Sequence, residues 1–188
     1  MAVVVLASAS PRRAELLRRI GLAYEVVLPQ VDETCDLPAE EAVAALSRRK
    51  AEDAAARRPG AVVIAADTLV VCGGSVLGKP NDEEDAFRML RSLSGTAHTV
   101  FTGVTAMRGG DAITRVDSAA VRIRSLTGAQ IRAYIATGEP MDKAGAYGIQ
   151  ERGAALVERV EGDFYTVMGL PVCLLAQMLE RFGIDILL

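Results

Sequence analysis

Short continuous apolar runs alternate along the chain with segments whose apolar residues recur every three or four positions. Val3 to Ala7 is such a run and predicts a buried strand. Ser10 is placed to cap a following helix, with Pro11 at its first position and Leu16, Leu17 and Ile20 on one face. Arg18 and Arg19 suit that helix's negative end, and Gly21 stops it. Tyr24 to Leu28 predicts a second short strand. Pro38 to Arg57 reads as a long helix, opened by Glu40 and Glu41, closed by Pro59-Gly60, with Val43, Leu46 and Ala54 on its inner stripe. Ala61 to Ala66 is nearly all apolar, as in a central strand covered on both faces. It continues through Asp67-Thr68 to Cys72 and turns at Gly73-Gly74 into Ser75 to Leu77. A helix follows from about Asp82 to Leu93, with Ala86, Leu90 and Leu93 inward.

Thr96 to Met107 and Ala112 to Arg124 predict two long strands joined at Gly109-Gly110-Asp111. Thr127 and Gln130 have capping-box spacing, with Leu126 and Ile131 as the accompanying staple, for a helix that ends at Gly138. GEPMDKAGAYGIQERGA then reads as a structured loop. Ala155 to Val160 and Tyr165 to Met168 read as strands, and Pro171 to Phe182 as a last amphipathic helix. Interleaved helices and long paired strands make this an α/β fold with a mixed rather than purely parallel sheet.

Composition narrows the function classes. The 188 residues are 51% hydrophobic with charges of mixed sign, a globular balance, and the net charge of −3 argues against a general nucleic-acid binder. The opening MAVVVLAS lacks a basic n-region, and no apolar stretch is long enough to span a bilayer, so a cytoplasmic protein is expected. Cys35, Cys72 and Cys173 are far apart and fit neither a metal site nor a disulfide framework; incidental thiols in a reducing compartment are the expectation. His98 is the only histidine and is expected to be structural.

Several residues are candidates for chemistry. Arg12 and Arg13 fall in the first turn of the first helix, where unpaired N–H groups and the helix dipole already repel cations. Either they splay into solvent, or they hold a polyanion together with Ser8, Ser10 and the helix terminus. Asp67 directly follows six apolar residues, a costly place for an unpaired carboxylate and a natural place to meet a ligand or metal. Lys50 falls on the inner stripe of the long helix, either snorkelling along its edge or reaching into a cleft. Glu33 and Lys79 are further charged candidates. Gln150, in the glycine-bearing loop, either faces solvent from a tight connection or offers the amide needed to read a base edge. Neither a Walker loop nor a dinucleotide fingerprint is present.

LASASPRRAELL (6–17), VDE (31–33), AADTLVV (65–71), LGKP (77–80), LSGTAHTVFTGV (93–104), GEPMDKAGAYGIQERGA (138–154) and VEGDFYTVMGLP (160–171) occur in order over most of the chain. In these segments the sequence resembles the Maf-like nucleoside triphosphate pyrophosphatases. MDKAGAYGIQ resembles the subgroup acting on dTTP and UTP rather than the one associated with 7-methyl-GTP. The resemblance implies hydrolysis between the α and β phosphates, with a divalent metal, Mg²⁺ or Mn²⁺, as cofactor. It implies one domain over residues 1–188 with a mixed twisted sheet, flanking helices and two lobes around a cleft, similar to inosine triphosphate pyrophosphatases, and often a homodimer. Carried over by position, Asp67 is the proton acceptor, and Arg12, Thr68 and Gln150 set substrate specificity. Ser8, Arg12, Arg13, Lys50, Lys79 and Lys143 contact phosphates, and Glu33 with Asp67 holds the metal. Whether Asp67 is base, metal ligand or both stays open at this level. The family's association with septum formation keeps a second reading open, a nucleotide-binding regulator without turnover.

Overall fold

Apolar continuity at the start of the chain becomes strand β1, Val4–Ala7, every residue of which is buried. The computed structural model describes residues 3–188; Met1 and Ala2, the first two residues of the MAVVVLAS stretch, lie outside it. Helix α1 (Pro11–Arg19) follows with Pro11 in its first turn and basic Arg18 and Arg19 in its last. It ends as the sequence predicts. Gly21 adopts φ +74°, its N–H reaches the Arg18 carbonyl, and the Leu22 N–H reaches the Leu17 carbonyl, the paired closure that a left-handed residue permits. Ser10 holds the N-cap position, but its side chain makes no capping hydrogen bond; its own N–H is instead taken by the Ser8 hydroxyl at 3.1 Å.

The second strand is much shorter than predicted. β2 is only Glu25–Val26, both exposed, at one edge of the sheet. Helix α2 (Ala39–Arg57) buries Val43, Leu46, Lys50, Ala51 and Ala54. β3 (Val62–Cys72) is one unbroken strand that contains Asp67 and Thr68 and turns at Gly73-Gly74 into β4 (Ser75–Leu77). Helix α3 (Glu83–Leu93) is capped by the Asp82 side chain, and the long strands β5 (Ala97–Arg108) and β6 (Asp111–Ile123) follow. Helix α4 (Gly128–Ile135) opens with the predicted capping box of Thr127 and Gln130, and the staple residues Leu126 and Ile131 are both buried in one core cluster. β7 (Val157–Glu161), the short helix α5 (Phe164–Met168) and helix α6 (Val172–Glu180) complete the order.

Phe164–Met168 is helical, which corrects the strand expected over Tyr165 to Met168. The cause is local. Asp163 accepts the Tyr165 N–H on its side chain at 2.9 Å and the Thr166 N–H on its carbonyl at 3.2 Å, and so starts a helical turn in a segment too short for periodicity to decide.

Seven strands form a mixed sheet in the order β2-β1-β3-β5-β6-β7, with β4 paired to β3. β1 runs parallel to β2 and β3, whereas β4 on β3 and β7 on β6 are antiparallel. Two compact units divide the chain. The first contains residues up to Asp67, Thr102–Asp117 and Gly169–Leu188, and the second contains Thr68–Phe101 and Ser118–Met168. In the first, Val5, Ala7, Val63 and Ala65 of the strands pack with Ala51 and Ala54 of α2. Small residues let the helix lie close: a Cβ added to Gly103 on β5 would stand 2.3 Å from the Val43 carbonyl oxygen of α2. The core of the second unit is built from α3, α4 and the strands, around Leu90, Leu93, Val121, Ile123 and Ile131.

Candidate active site

Asp67 and Lys50 meet because two periodicities converge. Val63, Ala65 and Asp67 are two residues apart on β3 and share one face, and Val63 and Ala65 pack against α2. On α2, Lys50 lies one turn before Ala54 and next to Ala51, both in that packing layer. The position that follows Ala65 on this face is a carboxylate, and the facing position of the helix is an ammonium. Lys50 Nζ donates to Asp67 Oδ1 at 2.6 Å, with both residues buried. The same nitrogen stands 3.0 Å from Glu33 Oε1, whose side chain is 63% exposed. Lys50 thus does not snorkel to solvent; it is drawn inward by two carboxylates.

Arg13 lies in the field of the same charges. β1 and β3 are in parallel register, Ala7 beside Ala65, so Ser8 leaves β1 where Ala66 and Asp67 continue β3. The Ser8 hydroxyl accepts from Arg13 Nη1 at 3.2 Å, and Arg13 Nε donates to the Gly169 carbonyl at 2.8 Å. Gly169 has φ +101°, a conformation that favours glycine. Burial lowers the Arg13 pKa to about 10; Asp67 and Glu33 oppose that fall, and Arg12 adds to it. The guanidinium stays charged at neutral pH and lies in the field of both carboxylates. Ser8, Arg12, Arg13, Glu33, Lys50 and Asp67 are accordingly one cluster within the first unit.

The remaining candidates belong to the second unit. Thr68, next on β3, is half-buried and by strand alternation faces away from Asp67. Lys79 is exposed; beside it, the Gly78 carbonyl accepts from the Gly145 N–H at 3.0 Å. Lys143 is buried, and its ammonium is held at 2.7 Å by both the Glu139 carbonyl and the Asp142 carboxylate. Gln150 is half-buried in the glycine-bearing loop, which is structured as predicted, by 3₁₀ turns at Glu139–Asp142, Ala144–Ala146 and Arg152–Ala155.

Sequence reasoning missed three participants. Gly169 orients Arg13 through a backbone oxygen, which no side-chain pattern reveals. Tyr134 and Glu139 are joined by a 2.9 Å hydrogen bond at the base of the loop. The Tyr134 hydroxyl pKa is raised by burial, so it remains a proton donor. His98 has the expected structural role. It is buried on β5, its Nε2 lies 2.7 Å from the Tyr147 hydroxyl, and burial lowers its pKa to about 4.

The donor set fits a hard divalent cation in a specific way. Asp67 and Glu33 already hold one positive charge between them, the Lys50 ammonium, and carboxylate oxygens are the ligands that Mg²⁺ and Mn²⁺ take. No group of three His, Cys, Asp or Glu side chains among the described residues is arranged to hold a metal. A metal held by these two carboxylates would need its other ligands from elsewhere, phosphate oxygens and water being the usual ones for nucleotide-bound Mg²⁺. Cys35, Cys72 and Cys173 are free, and no helix among the described residues is long and apolar enough to cross a membrane.

Comparison with known proteins finds relatives over the whole length of the chain. The chain is 50% identical to a dTTP/UTP pyrophosphatase of Symbiobacterium thermophilum over 99% of its length and 97% of the relative's. It is 51% identical to a dTTP/UTP pyrophosphatase of Moorella thermoacetica over 99% and 98%. Among solved structures, a HAM1 protein from Coxiella burnetii superposes with a TM-score of 0.54 at 13% identity, covering 96% of this chain and all of that one, a likeness of fold alone. The sequence model of the Maf-like proteins matches residues 3–182, and with relatives of this identity over its whole length the chain belongs to the Maf-like protein family.

Proposed function

We propose that this chain hydrolyses dTTP and UTP between the α and β phosphates, releasing the nucleoside monophosphate and pyrophosphate. The observation that carries the reading is the buried Lys50–Asp67 pair beside Glu33 and Arg13, in a chain half identical to proteins named for that activity. Arg12, Arg13 and Lys50 counter the charge of the triphosphate, and the Ser8 hydroxyl steadies Arg13. Asp67, oriented by Lys50, accepts a proton from a water whose oxygen attacks the α-phosphorus in line. The bond from that phosphorus to the bridging oxygen breaks, and the electron pair leaves with pyrophosphate, stabilised by the cations. A divalent metal held by Asp67 and Glu33 would supply charge neutralisation at the phosphate oxygens and acidify the water. Gln150, with Thr68, selects the pyrimidine, because a wrong base leaves buried polar groups unpaired. Lys143, whose ammonium is taken by Glu139 and Asp142, is left to hold the loop. We place the reaction in the cytoplasm, in keeping with three free cysteines.

Pyrophosphate release is measured with dTTP, UTP, CTP and GTP, with and without Mg²⁺ or Mn²⁺. Asp67→Asn is expected to abolish turnover while nucleotide binding stays measurable. Near-normal turnover in that variant rejects the general-base role. Faster hydrolysis of GTP than of dTTP or UTP rejects the pyrimidine assignment, and full activity after chelation rejects the metal.

A further inference from the structure

The loop that carries Gln150 is pinched shut at its neck. A Cβ added at Gly153 would lie 2.0 Å from the Gly148 carbonyl oxygen and 2.6 Å from the Tyr134 hydroxyl, so the backbones on the two sides of Gln150 touch. One carboxylate ties that neck. Glu139 Oε1 accepts from the Tyr134 hydroxyl at 2.9 Å and from the Gly153 N–H at 3.1 Å, and Oε2 accepts from the Arg152 N–H at 3.0 Å. The Tyr134 hydroxyl in turn accepts from the Gly148 N–H at 3.0 Å. Residues 148, 152 and 153 thus hang, directly or through one phenol, from Glu139.

We infer that Glu139, acting with Tyr134, is a positioning residue for base selection: it fixes the place of the Gln150 amide without touching the nucleotide. The inference rests on the assignment of base reading to Gln150. The chemistry suits the task. A carboxylate is acceptor-only, and here every group pointing at it is a donor: two backbone N–H groups and a phenol whose hydroxyl burial keeps protonated. An amide in its place must turn an NH₂ toward one of those donors. The loop then loses a tether and gains a donor–donor contact, while its glycines and the shape of the site stay the same. A loosened neck lets Gln150 sample several positions, and discrimination between bases weakens more than phosphate chemistry does.

The test is a comparison of kcat/KM for dTTP and dCTP in the wild type, Glu139→Gln, Tyr134→Phe and Gln150→Ala, with the double variant Glu139→Gln/Gln150→Ala. Hydrogen exchange of the loop amides is read alongside. Glu139→Gln and Tyr134→Phe are each expected to cut the dTTP/dCTP ratio roughly tenfold, the scale of one lost buried hydrogen bond, mainly through KM. The amides of residues 148, 152 and 153 should exchange faster. In the Gln150→Ala background the Glu139 change should no longer alter the ratio. If Gln150→Ala collapses the ratio but both neck variants, folded and with accelerated exchange, keep it, the positioning role is overturned. If Gln150→Ala itself leaves the ratio unchanged, the base-reading assignment falls and this inference falls with it.

Discussion

Replacing Lys50 by methionine removes one charge and little volume, and so isolates the electrostatic term of the buried pair. In the wild type, Lys50 Nζ lies 2.6 Å from Asp67 Oδ1, with side chains 7% and 10% exposed. Removing one member of such a pair strands the other, at a typical cost of about 3–5 kcal/mol. Two features move the figure. Glu33 is largely exposed, so its share of the loss is screened and adds little. Arg13 is close enough for Asp67 to raise its pKa, so some positive charge still faces the stranded carboxylate. The expected loss is about 2–4 kcal/mol, read in urea as a fall of roughly 1–2 M in the unfolding midpoint at unchanged slope. Lys50→Met/Asp67→Asn carries no stranded charge and should recover at least half of that loss. A single variant within about 0.5 kcal/mol of the parent would show that the two groups remain solvated, and the pairing argument would fail.

Other consequences are open to equally direct checks. The folded state keeps His98 neutral down to about pH 4, whereas the unfolded chain takes its proton near 6.5. Its contribution is whole above pH 6.5 and is lost as pH falls toward 4, about 3 kcal/mol in all, and His98→Gln should flatten that part of the stability–pH curve measured by denaturation. Gly103→Ala places a methyl 2.3 Å from the Val43 carbonyl oxygen and 2.4 Å from its carbon, backbone atoms that cannot rotate away. It should cost about 1–3 kcal/mol in thermal or urea unfolding and lower kcat/KM as well, because α2 carries Lys50; a neutral outcome would mean that the helix is free to shift. Thr127→Ala removes one half of the capping box and should cost about 1 kcal/mol of stability with turnover unchanged; a change in rate would show that α4 does more than support the loop.

Much of this molecule is legible from its order of residues. Where two periodicities face one another, as for Lys50 on α2 and Asp67 on β3, pattern places each side chain on the correct face, and packing alone decides that the two meet. Local chemistry is read as well: Gly21, Gly73-Gly74 and the Thr127–Gln130 box stand where backbone requirements put them. The failures have physical causes. Tyr165 to Met168 looked like a strand because so short a segment carries no decisive period, and the Asp163 side chain tips the balance. Ser10 stands at the N-cap position as read, but its hydroxyl makes no capping hydrogen bond, a matter of side-chain orientation that residue order does not carry. Glu139 and Tyr134 escaped because their partners are backbone amides far along a loop, where neither spacing nor composition marks a pairing.

The bond from Arg13 to the Gly169 carbonyl joins positions 156 residues apart. During synthesis the arginine and both carboxylates leave the ribosome long before the oxygen that holds the guanidinium in place, so a nascent chain carries the ingredients of the cluster without its final arrangement. Competence therefore arrives late, with the last segment of the first unit, and a chain cut short before Gly169 would keep all six charged or hydroxyl groups of that cluster and still lack the anchor that aims one of them.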